Sequence, residues 1–167
     1  ADGIAAMSRE DASQLKVMGC ERPIIHLPYA LPIENVPVEA PGNVFFHIGA
    51  MDWQPNIEAM RFLIDSIWPR IRAQRPNAVL RLAGRKMPGY FRSENGVLID
   101  GEVPDASSYM RENGILLAPL LSGGGMRIKL IEAMALARAV VSTSVGLEGI
   151  PVINGVHAAV AQSADDF

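Results

Sequence analysis

Between residues 44 and 161, short apolar runs alternate with stretches whose apolar residues recur at helical spacing. Val44-Phe45-Phe46-His47-Ile48 is a continuous run of the kind shown by a strand buried on both faces. Next, within Pro55 to Arg75, Met60, Leu63, Ile64, Ile67, Trp68 and Ile71 share one helical face. A kink is expected at Pro69, which lacks a backbone donor and crowds the preceding turn. Further strands are expected at Ala78–Ala83, Val97–Asp100, Ile115–Leu120, Ala139–Thr143 and, less regularly, His157–Ala161, with a helix over Ile128–Ala137. Strands of this length between helices predict βαβ units and an α/β fold with a doubly wound parallel sheet.

The region before residue 44 reads differently. Residues 8–18 predict a short amphipathic helix, with Ser8 as N-cap and Asp11 three residues on. Pro23 and Pro28 then bound a short apolar run. Pro28, Pro32, Pro37 and Pro41 fall within fifteen residues, which disfavours regular structure and predicts a linker. A boundary near residue 40 follows, dividing 1–40 from 41–167. The chain starts without Met and ends at Ser163-Ala164-Asp165-Asp166-Phe167, which reads as the first turn of a helix. A piece of a longer protein is expected.

Composition narrows the function. The 167 residues are 49% hydrophobic and carry a net charge of -3, which argues for a packed core and against a nucleic-acid binder. No apolar run is long enough to span a bilayer, and the single Cys20 excludes an internal disulfide or a cysteine-based zinc cage. Cytoplasmic residence is expected.

Parallel sheets bind ligands beyond the carboxyl ends of their strands. Three such loops carry unusual residues: Gly49-Ala50-Met51-Asp52-Trp53, Gly84-Arg85-Lys86, and Ser122-Gly123-Gly124-Gly125-Met126-Arg127 before the helix. A glycine run there permits close backbone approach and leaves N–H groups at the positive end of a helix dipole, which suits phosphate. Lys129 and Glu132 share one helix face with Gly125. A lysine for diphosphate charge and a carboxylate for ribose hydroxyls together make the chemistry of a nucleoside-diphosphate site. On an ideal helix Arg127 points away from Lys129, so it reaches a ligand only if the chain is still irregular there. The plainer readings are a tight turn and a solvated Lys129–Glu132 pair. A carboxylate embedded in a nearly apolar helix, however, should have a partner. His47 reads as a core histidine, Trp53 and Trp68 as packing residues, and Asp52 and Asp100 have no metal-binding companion. The G-x-G-x-x-G, Walker and G-x-S-x-G motifs are absent.

The stretch GGGMRIKLIEAMALARAVVSTSVGLEGI (123–150) resembles the nucleotide-sugar site of retaining GT-B glycosyltransferases of group 1, family 4. GAMDWQPNIEAM (49–60), Trp68-Pro69, LAGR (82–85) and DGEVPD (100–105) resemble the same C-terminal domain, in the expected order. The resemblance implies a Rossmann-like donor domain over 41–167, preceded by the end of the N-terminal domain and the interdomain linker. It implies that Glu132, as the second Glu of an E-x7-E motif, holds the donor ribose, while Gly124 stands where the first Glu would contact the sugar. An Arg and a Lys that bind diphosphate in the family are replaced by Ala50 and Asn56; Arg127 and Lys129 are candidates to take their place. Gly123, Gly125, Met126, Gly49 and Arg85 complete the expected donor contacts, with the backbone at Val103 beside the base and Gly146–Gly149 as a second nearby loop. The implied activity is hexosyl transfer from a donor such as a UDP-sugar to a glycan or lipid-linked acceptor held by the missing N-terminal domain, without a cofactor or metal. The chain alone should bind donor without turnover. The implied setting is polysaccharide synthesis, with the full-length protein peripheral to the inner membrane. A sugar-nucleotide epimerase, an inverting transferase and a non-catalytic nucleotide-binding module are the alternatives.

Overall fold

The computed structural model describes residues 2–32 and 42–167. The boundary near residue 40 and most of the proline-rich linker, Pro37 and Pro41 included, lie outside the described residues. The first unit comprises β1 (Ile4–Ala6), α1 (Arg9–Val17) and β2 (Ile24–His26), with the two strands paired in parallel. Ser8 caps α1 as the sequence predicts, accepting from the Asp11 N–H at 2.9 Å. No residue of α1 is buried.

The second unit is a six-stranded parallel sheet made by β3 (Val44–Ile48), β4 (Val79–Ala83), β5 (Val97–Gly101), β6 (Ile115–Ala118), β7 (Ala139–Ser142) and β8 (Ala159–Val160). Spatial order is β5-β4-β3-β6-β7-β8, so the chain winds outward from β3 and then outward again from β6 on its other side. This is the doubly wound, Rossmann-like order, and the predicted fold class holds. Its reversal point lies between β3 and β6, and sheets of this order bind ligands in the crevice beyond the strand ends at such a point.

Alternation along β3 and β6 explains the two cores. Phe45 and Leu117 face α2 (Gln54–Phe62) and α3 (Trp68–Gln74), where Met60, Leu63, Ile67 and Trp68 pack. Phe46 and Leu116 face α4 (Ala106–Arg111) and α5 (Ile128–Ala135), packing with Tyr109, Leu130 and Ala133. Both faces of the sheet are thus covered, which is why its strands read as apolar runs.

The helix expected over Pro55–Arg75 is present but is not regular. Between α2 and α3 the residues Leu63–Ile67 form a π-turn, in which the Trp68 N–H reaches back to the Leu63 carbonyl. The irregularity therefore sits one turn before Pro69, which lies in the first turn of α3, where its missing donor is harmless. Neither β1 nor α4 was expected. β8 is shorter than predicted, and 164–166 form a turn in place of a helix start.

Gly84 shows how tightly the strand ends meet. A Cβ there would lie 1.8 Å from the Gly49 carbonyl oxygen, a clash with backbone that cannot swing aside. Gly84→Ala should destabilise the fold by about 1–3 kcal/mol, read as a lower urea midpoint; an unchanged midpoint would show that the two loops move apart freely.

Candidate functional site

The crevice is flanked by the loop after β3, carrying Gly49–Trp53, and the loop after β6, carrying Ser122–Arg127. The glycines of the second loop are not equivalent. Gly123 has φ +99° and Gly125 φ +84°, conformations that favour glycine. A Cβ at Gly123 would also lie 2.9 Å from both Arg127 Nη2 and the Trp53 ring. At Gly124 a Cβ would meet only open space.

Arg127 is the N-cap of α5, with φ −89° and ψ 90°. The chain is still irregular there, as its participation requires. Its guanidinium folds back over the glycine loop, donating through Nη1 to the carbonyl of Gly124 at 2.5 Å and to that of Gly125. It also stacks over the Trp53 ring, 5.0 Å from the centroid. Its Nε and Nη2 are buried and have no hydrogen-bond partner among the described residues. Burial pulls its pKa down. Trp53, read as a packing residue, is therefore the platform on which this cation lies.

Lys129 sits in the first turn of α5 and points toward β3. The residue is half-buried, and its ammonium donates to the Ile48 carbonyl at 2.8 Å and to Asn56 Oδ1 at 3.2 Å. Asn56, buried at the start of α2, donates in turn to the Ala50 carbonyl at 2.8 Å. Lys129 thus reaches the very loop whose expected basic residues are missing. Desolvation, then the Arg127 charge, lowers its pKa to about 7. His47 is the buried histidine that the sequence predicts. Its Nδ1 donates to the Leu117 carbonyl at 2.8 Å, and its Nε2 has no partner among the described residues. Desolvation and Lys129 push its pKa to about 3.

Glu132 lies one turn further along α5. It is half-buried, and its carboxylate makes no hydrogen bond or ion pair among the described residues. A solvated Lys129–Glu132 pair is therefore not formed, since Lys129 turns inward.

The remaining predicted residues are arranged around this cluster. Gly49 is crowded: a Cβ would lie 2.9 Å from Asn56 Nδ2 and 3.0 Å from Lys129 Nζ, so these side chains would have to shift. Arg85 is at the rim, 3.1 Å from Asp52, which also receives Lys86 at 3.1 Å; the Lys86 hydrogen bond leads in holding the Asp52 carboxyl below its usual range. Val103 packs its side chain against the core around Phe46. Met126 lines a cleft of about 840 Å³ between the two units, with Met7, His26 and Tyr29 on one wall and Ile131 and Ile150 on the other. From the sequence alone, Asn56 reads only as the residue standing in place of a lysine. The available signal was a polar residue ahead of the apolar face of α2.

The family model described as Glycosyl transferases group 1 matches residues 42–167. The chain belongs to this family. A curated relative of this glycosyltransferase chain, described as an uncharacterized 44.6 kDa protein in the cps region of Klebsiella pneumoniae, is 24% identical over 130 residues, covering 71% of the chain and 33% of the relative. The fold matches the S. aureus protein TarM, solved with UDP among its ligands, at TM-score 0.77 and 14% identity over 99% of this chain and 34% of that one. It matches Anabaena HepE, solved with UDP and glucose, at TM-score 0.74 and 16% identity over 99% of this chain and 50% of that one. WaaG, a glycosyltransferase involved in lipopolysaccharide biosynthesis, matches at TM-score 0.63 and 16% identity, over 84% and 44% of the two chains. The chain thus spans about a third to a half of the length of these relatives. Among the described residues, no helix is long and apolar enough to cross a membrane.

The buried ammonium makes stability depend on pH in a defined direction. With a folded-state pKa of about 7 for Lys129 against about 10.4 unfolded, the unfolded chain binds the extra proton between these limits. Stability should therefore rise with pH from about 7 to 9.5, by at most about 1.4 kcal/mol per pH unit. Urea midpoints at pH 7 and 9 should show this rise, and Lys129→Met should flatten it.

Proposed function

We propose that residues 42–167 form the donor-binding domain of a retaining family 4 glycosyltransferase of the GT-B type, which takes a nucleoside-diphosphate sugar. The observation that carries this is Glu132, a carboxylate with no hydrogen bond or ion pair among the described residues, one turn beyond Lys129 on a helix whose only other charged residue is that lysine. A free carboxylate at that distance suits the paired hydroxyls of a ribose. The N–H groups of the glycine loop suit the diphosphate, with Lys129 and Arg127 supplying positive charge. As the glycosidic bond breaks, negative charge grows on the leaving diphosphate, and donors already oriented toward it stabilise that charge without reorganising.

Each further part of this reading has its own support. UDP is the nucleotide in the TarM and HepE structures, which makes a UDP-sugar the first donor to test. The cps-region relative and the lipopolysaccharide role of WaaG support a glycan or lipid-linked acceptor and a place in surface-polysaccharide synthesis. The chain spans part of its relatives, so the acceptor is assigned to the part of the protein beyond this chain, and transfer to the whole protein.

Titration calorimetry of this chain with UDP and GDP tests the donor site. One nucleotide should bind saturably. Glu132→Ala should weaken it roughly 10- to 150-fold, the equivalent of losing about 1.5–3 kcal/mol of charged hydrogen bonding. Unchanged affinity would remove Glu132 from the site. In the full-length protein, a product that keeps the donor's anomeric configuration supports the retaining assignment, and an inverted one overturns it.

A further inference from the structure

Lys129 presents an unusual balance of charge. Its ammonium is turned inward, and both groups that accept from it, the Ile48 carbonyl and the Asn56 amide oxygen, are neutral. Among the described residues, no carboxylate accepts from it. From β3 comes His47, uncharged, with a buried Nε2 that has no partner among the described residues. From the glycine loop comes Arg127, a second cation. From α2 comes Asn56, while the Glu58 carboxylate of the same helix accepts from the Ser122 hydroxyl at 3.0 Å instead; on α5 itself Glu132 makes no ion pair with it among the described residues. Arg127 adds two buried donors, Nε and Nη2, that also have no partner among the described residues. Two cations, one of them with unused donors, thus converge from the glycine loop and α5. A buried ammonium lacking an anion is stable only in part, and any ligand that brings negative charge changes its protonation.

We propose that Lys129 couples donor binding to a proton: the diphosphate of the nucleotide sugar is bound with uptake of one proton by the Lys129 amine, and that proton is released when the nucleotide leaves. Asn56 is the positioning residue of this device, because a neutral amide holds the amine in place without fixing its charge. The inference rests on the donor-site reading above and deepens it. Binding would then be strongest where the amine is already charged. With a free-state pKa near 7, affinity for donor should fall about tenfold between pH 6 and pH 8, following the fraction of protonated chain.

The test is titration calorimetry of the chain with UDP-glucose and, in parallel, GDP-mannose, in buffers of different ionisation enthalpy at pH 6, 7 and 8. The diphosphate of a nucleotide sugar does not itself titrate in this range, so any proton exchanged belongs to the protein. Uptake should be near zero at pH 6, about half a proton at pH 7 and close to one at pH 8. Lys129→Met should bind more weakly, with no uptake and no pH dependence. Asn56→Asp gives the ammonium a resident counter-charge, so it should also abolish uptake while leaving the lysine present. Binding without proton uptake at pH 8, or uptake that persists in Lys129→Met, overturns the proton coupling and leaves the donor site standing. Absence of binding by either nucleotide sugar overturns both.

Discussion

The hydrogen bond from Lys129 to the Ile48 carbonyl holds the two halves of the sheet's reversal point together. It joins the last residue of β3 to the first turn of α5, and through Asn56 it also fixes the Ala50 carbonyl. Few side chains can do this. A carbonyl at a strand end needs a donor, the gap is spanned only by a long side chain, and the interior penalises charge. Lysine can meet all three demands, since it can shed its proton when no anion is near. The crowding at position 49 follows from the same contact, because the ammonium and the amide already fill the space a side chain would need.

A second polar network, across the sheet, shows what a purely structural solution looks like. Arg81 of β4 makes two bonds of 3.0 Å to Asp100 of β5, and Tyr109 of α4 donates to the same carboxylate at 2.8 Å. The Arg81 guanidinium also lies over the Tyr109 ring. Charge is balanced and the three elements are locked to one another. Around Lys129 and Arg127, among the described residues, buried donors are left unused and no carboxylate bonds to the lysine. Orphaned polar groups are rare in folded proteins and concentrate where a ligand completes them.

Much of this was legible in the sequence, and what was not has identifiable physical causes. Strands buried on both faces announce themselves as apolar runs, and the spacing from Met60 to Ile71 marks a helix face. Ser8 and Asp11 mark a helix start with no long-range information at all. By contrast, β1 has three residues and α4 six, fewer than a period needs to declare itself, and α4 includes Ser107 and Ser108. The π-turn was missed because Pro69 predicts disturbance without saying where the backbone absorbs it. At the site, Lys129, Glu132 and the glycine loop could be named from residue type and spacing. The fold of Arg127 onto its own loop could not, since it depends on the Trp53 ring, delivered by a distant part of the chain. Asn56 likewise gains its meaning only once α5 is seen to reach across to it.

The glycines around the crevice differ in what they leave free to change. Positions 49, 84 and 123 are closed: backbone, amide, ammonium or aromatic ring already occupies the volume of a methyl group. Gly125 has room but a backbone that side chains rarely adopt. Gly124 alone of these five has both open space and an ordinary conformation. Evolution of the crevice is therefore channelled. Most of its wall can be altered only by coordinated change at several positions, whereas at residue 124 a single codon can place a new functional group at the mouth of the site and leave the scaffold beneath undisturbed.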